Sequence, residues 1–373
     1  MMTINGIVII NRTVLIRTLP YDKNNENYEV IPLDELLQIN KLPFKITRSM
    51  MLEIVYEAQR ASSYDDAAEQ IEKHYGYKIS KDLVRKVTVL IGNLVYEQDK
   101  LKAERTQNNI INSIDNTSPK KDGILYLLTD GAAVNTRIQD ENGSTWRENK
   151  LGLAFSSDNV IKRGKKENSG YKIIKKEYTS FIGNVEEFGK FFYQIAINQG
   201  YGKYKTVIIL SDGATWIKNL CELLFPDAIL ILDKFHLDEN IYDYAKAIFN
   251  NDEKKYKPWA KMIIKYIMDD KIDKALDEID KVNFEKIPKG TVNLKGYINN
   301  NKERIHYKEY IKKGYYVGSG AIESGNKTVL QKRLKQAGMR WGVPTAQAML
   351  SIRAKFESGL WDEVKHLVYN AEF

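Results

Sequence analysis

Apolar positions along the chain change their period several times, and each change marks an element. Residues 1–45 alternate loosely (Ile7, Val8, Ile9, Ile10, then Val14 and Ile16) and run into a polar YDKNNENYE stretch. That pattern predicts a small β-rich, hairpin-like segment. From Thr47 to about Lys102 the spacing becomes helical. Thr47 or Ser49 can cap a helix through Arg60, and Ser63 can cap DDAAEQIEKHY, which has two aspartates in its first turn. Tyr75-Gly76-Tyr77 breaks this helix, and Ser80 can cap the next, KDLVRKVTVLIGNLVYEQDKL. The polar residues 103–121 (AERTQNNIINSIDNTSPKK) read as a linker.

A strand-rich block follows. GILYLLTDG, KLGLAFS and YKIIKKEYTSFIG come in succession, then a helix from Val185 to Asn198, then KTVIILSDG and AILILDKFH. Three strands followed by alternating helix and strand describe an α/β mixed sheet with helices on its faces. From about Leu237 to Tyr310 the chain is rich in Lys, Glu, Asp and Ile and reads as helical, with no strand-like run. GYYVGSGAIESGNKTVLQKRLKQAGMRW then turns through glycines into a helix, and a further amphipathic helix runs from Pro344 to about Ser358.

With 373 residues, 43% apolar and 28% charged, the composition is that of a soluble globular chain of two or three domains. A single cysteine, Cys221, excludes a disulfide framework and a thiolate zinc site within one chain, and fits a reducing cytosol. The N-terminus lacks a signal-peptide core and no apolar run approaches the roughly 20 residues that span a bilayer, so a cytoplasmic protein with no membrane partner is expected. The formal charge is +8 and the pI near 9.0. Its distribution matters more than its size. Residues 162–176 hold seven basic residues against Glu167, and residues 312–340 hold seven against Glu323. Either run reads as a solvated face or as a surface for DNA phosphates. Lys332, Arg333, Lys335 and Arg340 of the second are the candidate contacts.

Residues 46–102 contain two short helices joined by a Gly-containing turn, the second opening on Ser and basic residues. This is the shape of a helix-turn-helix, and it would place Lys81, Arg85 and Lys86 on the early turns of a recognition helix. An ordinary helical hairpin fits the same pattern.

The carboxylates carry the chemistry. Asp130 and Asp212 each end an apolar strand in the same local sequence, small polar residue then Asp-Gly-Ala: TDGAA and SDGAT. One Asp-Gly at a strand end is adequately explained as a turn. Two in one sheet place carboxylates where divalent cations relieve their repulsion. Two such ions can clamp the attacking and leaving oxygens of a phosphoryl transfer, and oxygen donors suit Mg²⁺ or Mn²⁺. Glu323 is the candidate third ligand, being the only acid between Glu309 and Glu357 and near a helix start. A glutamate favoured there by the helix dipole alone has the same signature. Trp216 and Trp341 lie near these motifs, as core residues or as platforms for an unpaired base.

LLTDGAAVN, ILSDGATWI, LDKFH and GSGAIESGNK, in this order, resemble the DDE transposases of bacterial insertion sequences, most closely the family typified by the Lre element. GIVIINRTVLIRT and VIPLDELLQIN are similar to that family's region ahead of the catalytic core. The resemblance implies an RNase H-like fold with the first Asp on its first strand, the second on its fourth and the Glu on a later helix. It also implies a catalytic core of residues 122–240 and 311–373, with residues 241–310 as an all-helical insertion. Asp233 and His236 match the Asp-x-x-His signature that follows the second aspartate, where the histidine can hydrogen-bond the aspartate, position DNA or support the metal shell. A capped turn with a half-buried histidine fits equally. Many such enzymes carry a basic residue seven positions after the glutamate. Here Leu330 stands there, and Lys327, on the same helical face as Glu323, is the nearer substitute.

The expected activity is therefore cleavage of element ends and strand transfer into target DNA, assisted by two Mg²⁺ or Mn²⁺ ions. The expected partners are double-stranded DNA and further copies of the chain. Two other readings stay open: a nuclease of the same fold that cuts without joining, and a DNA-binding regulator with an inert catalytic domain.

Overall fold

The apolar runs of the central block pair into one five-stranded sheet. Its strands are β1 (Lys121–Asn135), β2 (Trp146–Ser156), β3 (Glu177–Ile182), β4 (Tyr204–Ser211) and β5 (Ile229–Leu232), in the spatial order β5-β4-β1-β2-β3. β4 runs parallel to both β1 and β5, whereas β2 and β3 are antiparallel, so the sheet is mixed. Leu125 to Leu128 and Val207 to Leu210 are all buried, which is why both strands read as unbroken apolar runs rather than alternating ones. The chain builds β1, β2 and β3 to one side and then crosses over to lay β4 and β5 on the other. The strand order thus reverses between β1 and β4, the place where open sheets bind ligands beyond their carboxyl ends.

This computed structural model describes residues 1–10, 15–17, 28–30, 41–110, 120–163, 171–282, 288 and 290–373. The chain divides into two units, one of Met1–Asp99, Asn135–Thr145 and Val329–Phe373, the other of Lys100–Val134 and Trp146–Thr328. That division departs from the expected domains, because residues 329–373, assigned from the sequence to the catalytic core, group with the N-terminal helices.

Three helices start where capping chemistry predicts them: α1 (Arg48–Arg60) and α2 (Tyr64–Tyr75) in the first unit, and α3 (Lys81–Ile110), whose residues up to Asp99 belong to the first unit and the rest to the second. The hydroxyls of Thr47, Ser63 and Ser80 accept from the amides of Met50, Asp66 and Leu83, and Gly76 closes α2 in the left-handed conformation at φ 74°. Met50, Ile54, Val55, Ile71, Val84, Val87 and Ile91 form their shared core with Ile352, Val364 and Val368 from the helices Val343–Glu357 and Trp361–Asn370. α3 meets Val343–Glu357 at Gly92, where a Cβ would lie 2.4 Å from the Ala348 carbonyl oxygen. The N-terminal segment forms two short antiparallel ladders, Met2–Thr3 with Gly6–Ile7 and Leu15–Arg17 with Tyr28–Val30.

The expected linker is in part a helix. α3 continues to Ile110, and residues 111–119 fall outside the described residues. In the second unit the helix Val185–Asn198 connects β3 to β4 and buries Phe188, Phe191, Phe192 and Ile195. Between Lys234 and Lys312 the described residues hold helices and no strand. A two-stranded hairpin, Val160–Lys162 with Tyr171–Ile173, precedes β3; residues 164–170 of the first basic run lie outside the described residues. No helix among the described residues is long and apolar enough to cross a membrane.

Candidate catalytic site

Register places the two Asp-Gly motifs together. Thr129 on β1 stands opposite Ser211 on β4, and the next residue on each strand is the aspartate. Parallel neighbours lie about 4.8 Å apart, so Asp130 within β1 and Asp212 just past β4 stand side by side at the switch point. Ser211 is also in register with Leu232 on β5, which sets Asp233 in the same row. Asp212 and Asp233 therefore follow the carboxyl ends of β4 and β5, whereas Asp130 lies within β1, which continues to Asn135 rather than ending at the Asp-Gly pair as the sequence suggested.

Their surroundings differ. Burial raises the Asp130 carboxyl above the usual carboxylate range, and the charge of Asp212 adds to the effect. His236, the Gly131 amide and the Asn326 side chain pull the other way. The Gly131 N–H donates to Asp130 Oδ1 at 2.8 Å, and Asn326 Nδ2 donates to Oδ2. Asp212 Oδ1 accepts from the Ala214 amide at 2.9 Å. Asp233 is fully buried: its Oδ1 accepts from the amides of Phe235 (3.1 Å) and Ser319 (2.9 Å), while Oδ2 has no hydrogen-bond partner. His236 stands between carboxylates, with Nε2 3.7 Å from Asp233 Oδ2 and Nδ1 3.4 Å from Glu239 Oε2.

Glu323 lies on the short helix Gly320–Gly325, with its side chain exposed. Ser319 donates its hydroxyl to Glu323 Oε1 at 2.8 Å and its amide to Asp233. Three residues after Glu323, Asn326 reaches Asp130. The start of this helix is thus tied to Asp233 and its next turn to Asp130. At Asn326–Gln331 the helix widens into π turns, a distortion found often at functional sites. Lys327 lies on these turns and is exposed. Among the described residues no three His, Cys, Asp or Glu side chains are grouped so as to hold a metal ion. Asp130 and Asp212 suit a divalent cation, since two adjacent carboxylates, one of them resisting ionisation, are what such an ion relieves. Glu323 is held by Ser319 instead.

Of the expected DNA contacts, Lys81, Arg85 and Lys86 open α3 and pair with acids: Lys81 with Asp65 at 3.5 Å, Arg85 and Lys86 with Asp82 at 2.7 and 2.8 Å. Lys332, Lys335 and Arg340 are exposed. Arg333 corrects the expectation, being only 1% exposed. Its Nε donates to the Ala58 carbonyl at 2.9 Å, and its guanidinium lies 4.8 Å from the Tyr64 ring centre and 5.1 Å from that of Trp341. It is a core residue of the first unit, as is Trp341, whose indole N–H donates to the Leu334 carbonyl at 3.2 Å. Trp216 is half buried, edge-on to Phe188 and under Lys150 Nζ.

Sequence reasoning missed four residues at the site. Ser319 and Asn326 sit inside the GSGAIESGNK motif but carry no charge to draw attention. Arg304 and Tyr297 come from the helical stretch far along the chain. Arg304 is 5% exposed and its Nη2 donates to Ser211 Oγ at 2.8 Å; Tyr297 packs on Gly213, where a Cβ would lie 2.5 Å from its ring.

A family model described as an uncharacterised protein family, UPF0236, matches residues 3–368. No curated protein matches the chain. Among solved structures, the Drosophila P element transposase strand transfer complex is similar at a TM-score of 0.28 and 9% identity, covering 91% of this chain and 85% of that one. A resemblance that loose lends no weight to the site, which stands on its own residues.

Proposed function

The chain belongs to the UPF0236 family, and for this member we propose a DNA transposase of the insertion-sequence type, similar to the Lre-element family, with an RNase H-like core. The observation that carries this reading is the register of Asp130 and Asp212 on adjacent parallel strands at the switch point.

Asp130 and Asp212 would hold the divalent ions, with Glu323 as third ligand once its Oε1 leaves the Ser319 hydroxyl. Bound there, two Mg²⁺ or Mn²⁺ ions supply charge stabilisation to the attacking and leaving oxygens of a phosphodiester. The chain's own residues do the rest. Asn326 orients Asp130, the Ala214 amide orients Asp212, and Ser319 couples Asp233 to Glu323. His236, with Asp233 behind it, offers its ring nitrogens for hydrogen bonding beside the aspartates. Lys327, Lys332, Lys335 and Arg340 would meet DNA phosphates. α2 and α3 would act as a helix-turn-helix, with Lys81, Arg85 and Lys86 exchanging their acidic partners for phosphates. Bringing two element ends together in the cytoplasm calls for a dimer or larger assembly.

The test is strand transfer of a pre-cut, 3′-hydroxyl element end into plasmid, in Mg²⁺, by the wild type and Asp212→Asn. The proposal expects joined product from the wild type and none from the variant. Cleavage without joining identifies a nuclease. Equal activity in both proteins, or none in either, overturns the catalytic reading, and DNA binding with no activity in either identifies a regulator.

A further inference from the structure

Residues 241–310 contain many lysines and a single arginine, Arg304. Unlike those lysines' usual place at a surface, its place is internal, at 5% exposure, on the turn Lys302–Arg304. Its guanidinium spans two segments. Nη2 donates to Ser211 Oγ at 2.8 Å and to the Asp212 carbonyl oxygen at 3.4 Å, while Nη1 donates to Asn301 Oδ1 at 3.0 Å. Asn301 is fixed in turn, its amide donating to the Tyr297 carbonyl at 2.9 Å. Nε has no hydrogen-bond partner.

All of these acceptors are neutral, so the buried cation is not seated by a hydrogen-bonded carboxylate. A buried charge held this way is costly, and an apolar residue of similar volume would ordinarily serve the fold as well. Burial lowers the Arg304 pKa, and the charge of Asp212 is among the influences opposing that shift. Two tyrosines from the same stretch reinforce the contact. The Tyr297 ring occupies the space that a side chain at Gly213 would need, and the Tyr307 hydroxyl donates to the Leu232 carbonyl at 2.9 Å, where β5 ends. Arg304, Tyr297 and Tyr307 together clasp the backbone from which Asp212 and Asp233 project.

We propose that Arg304 is a positioning residue, whose two-pronged contact fixes the Ser211-Asp212-Gly213 turn and so aims the Asp212 carboxylate beside that of Asp130. A planar fork is needed because two acceptors on one turn and one on another are bridged at once; a lysine ammonium is a point donor on a flexible stem. The geometric claim stands on the hydrogen bonds above, and its consequence for metal affinity rests on the proposed function.

The full chain is compared as wild type, Arg304→Met and Arg304→Lys, first by hydrogen exchange without divalent ions. The reporter is the 211–216 segment, which includes the Ala214 amide bonded to Asp212 Oδ1. Arg304→Met is expected to speed exchange there about tenfold, and Arg304→Lys by less, with the amides of β5 unchanged. Unchanged exchange at 211–216, or a uniform rise across the unit in both variants, overturns the proposal. Mn²⁺ binding followed by electron paramagnetic resonance is the second readout. Arg304→Met should weaken it about tenfold, and added Mn²⁺ should restore cleavage. A wild type that binds no Mn²⁺ defeats the metal reading, while exchange at 211–216 still decides the role of Arg304.

Discussion

Asp130 is partly buried beside a second carboxylate, and both conditions disfavour its charge. Asp130→Asn removes that charge and keeps an oxygen to accept from Asn326. In buffer free of divalent ions the variant should melt a few degrees higher, a gain of about 1 kcal/mol. The same variant should cleave DNA about 100-fold more slowly or not at all. Calorimetry in EDTA and a plasmid cleavage assay check the two halves; a variant that melts lower and cleaves normally removes Asp130 from the site. Arg333 behaves in the opposite way. Its side chain satisfies the Ala58 carbonyl and fills the space between Tyr64 and Trp341, so Arg333→Ala should cost about 3 kcal/mol in urea unfolding while folded protein binds DNA as before. The contrast marks a limit of reading residues singly. The sequence displays the charge of Arg333 as plainly as that of Lys335, but only the aromatic pair around it decides that one cation turns inward. The aspartates were legible because their setting is local, an apolar run ending in Asp-Gly. Ser319, Asn326 and Arg304 act across long stretches of chain, and no nearby pattern announces such partners.

Helix starts were the most legible elements, since a serine or threonine capping its own first turn is a contact between near neighbours. The end of α3 was not. Residues 103–110 are polar and resemble a linker, yet Ala103 is buried and the Thr106 hydroxyl bonds Gln194 on the helix Val185–Asn198, so tertiary contact extends the helix past its apolar pattern. The close approach of α3 to Val343–Glu357 sets a further expectation. Gly92→Ala would drive a methyl into the Ala348 carbonyl, and the helices must separate to admit it. A loss of about 2 kcal/mol in the urea-unfolding free energy is expected, from a change that is usually favourable inside a helix. No loss would mean that the two helices have freedom to move apart.

For the whole chain, a mixed sheet was legible in the succession of strand-like runs, whereas the spatial order β5-β4-β1-β2-β3 and the grouping of residues 329–373 with the N-terminal helices were not. Membership in that unit depends on Ile352, Val364 and Val368 meeting partners some 300 positions earlier, which no periodicity encodes. The formal charge of +8 belongs to this scale too. If Lys335 and Arg340 meet phosphates, replacing each with alanine should lower the slope of log affinity against log salt by about one, for any DNA sequence. Fluorescence anisotropy at several salt concentrations reads that slope, and an unchanged slope removes both from the interface.

The register that brings Thr129 opposite Ser211 has a consequence for how the gene can vary. A strand alternates its faces, so position along β4 has parity as well as distance. Losing one codon within β4 would turn Asp212 to the opposite face; losing two would restore the face but draw it back by about 6–7 Å. Neither leaves it level with Asp130. The loops between strands can lengthen or shorten freely by comparison, and relatives that keep the chemistry are expected to place their insertions and deletions there.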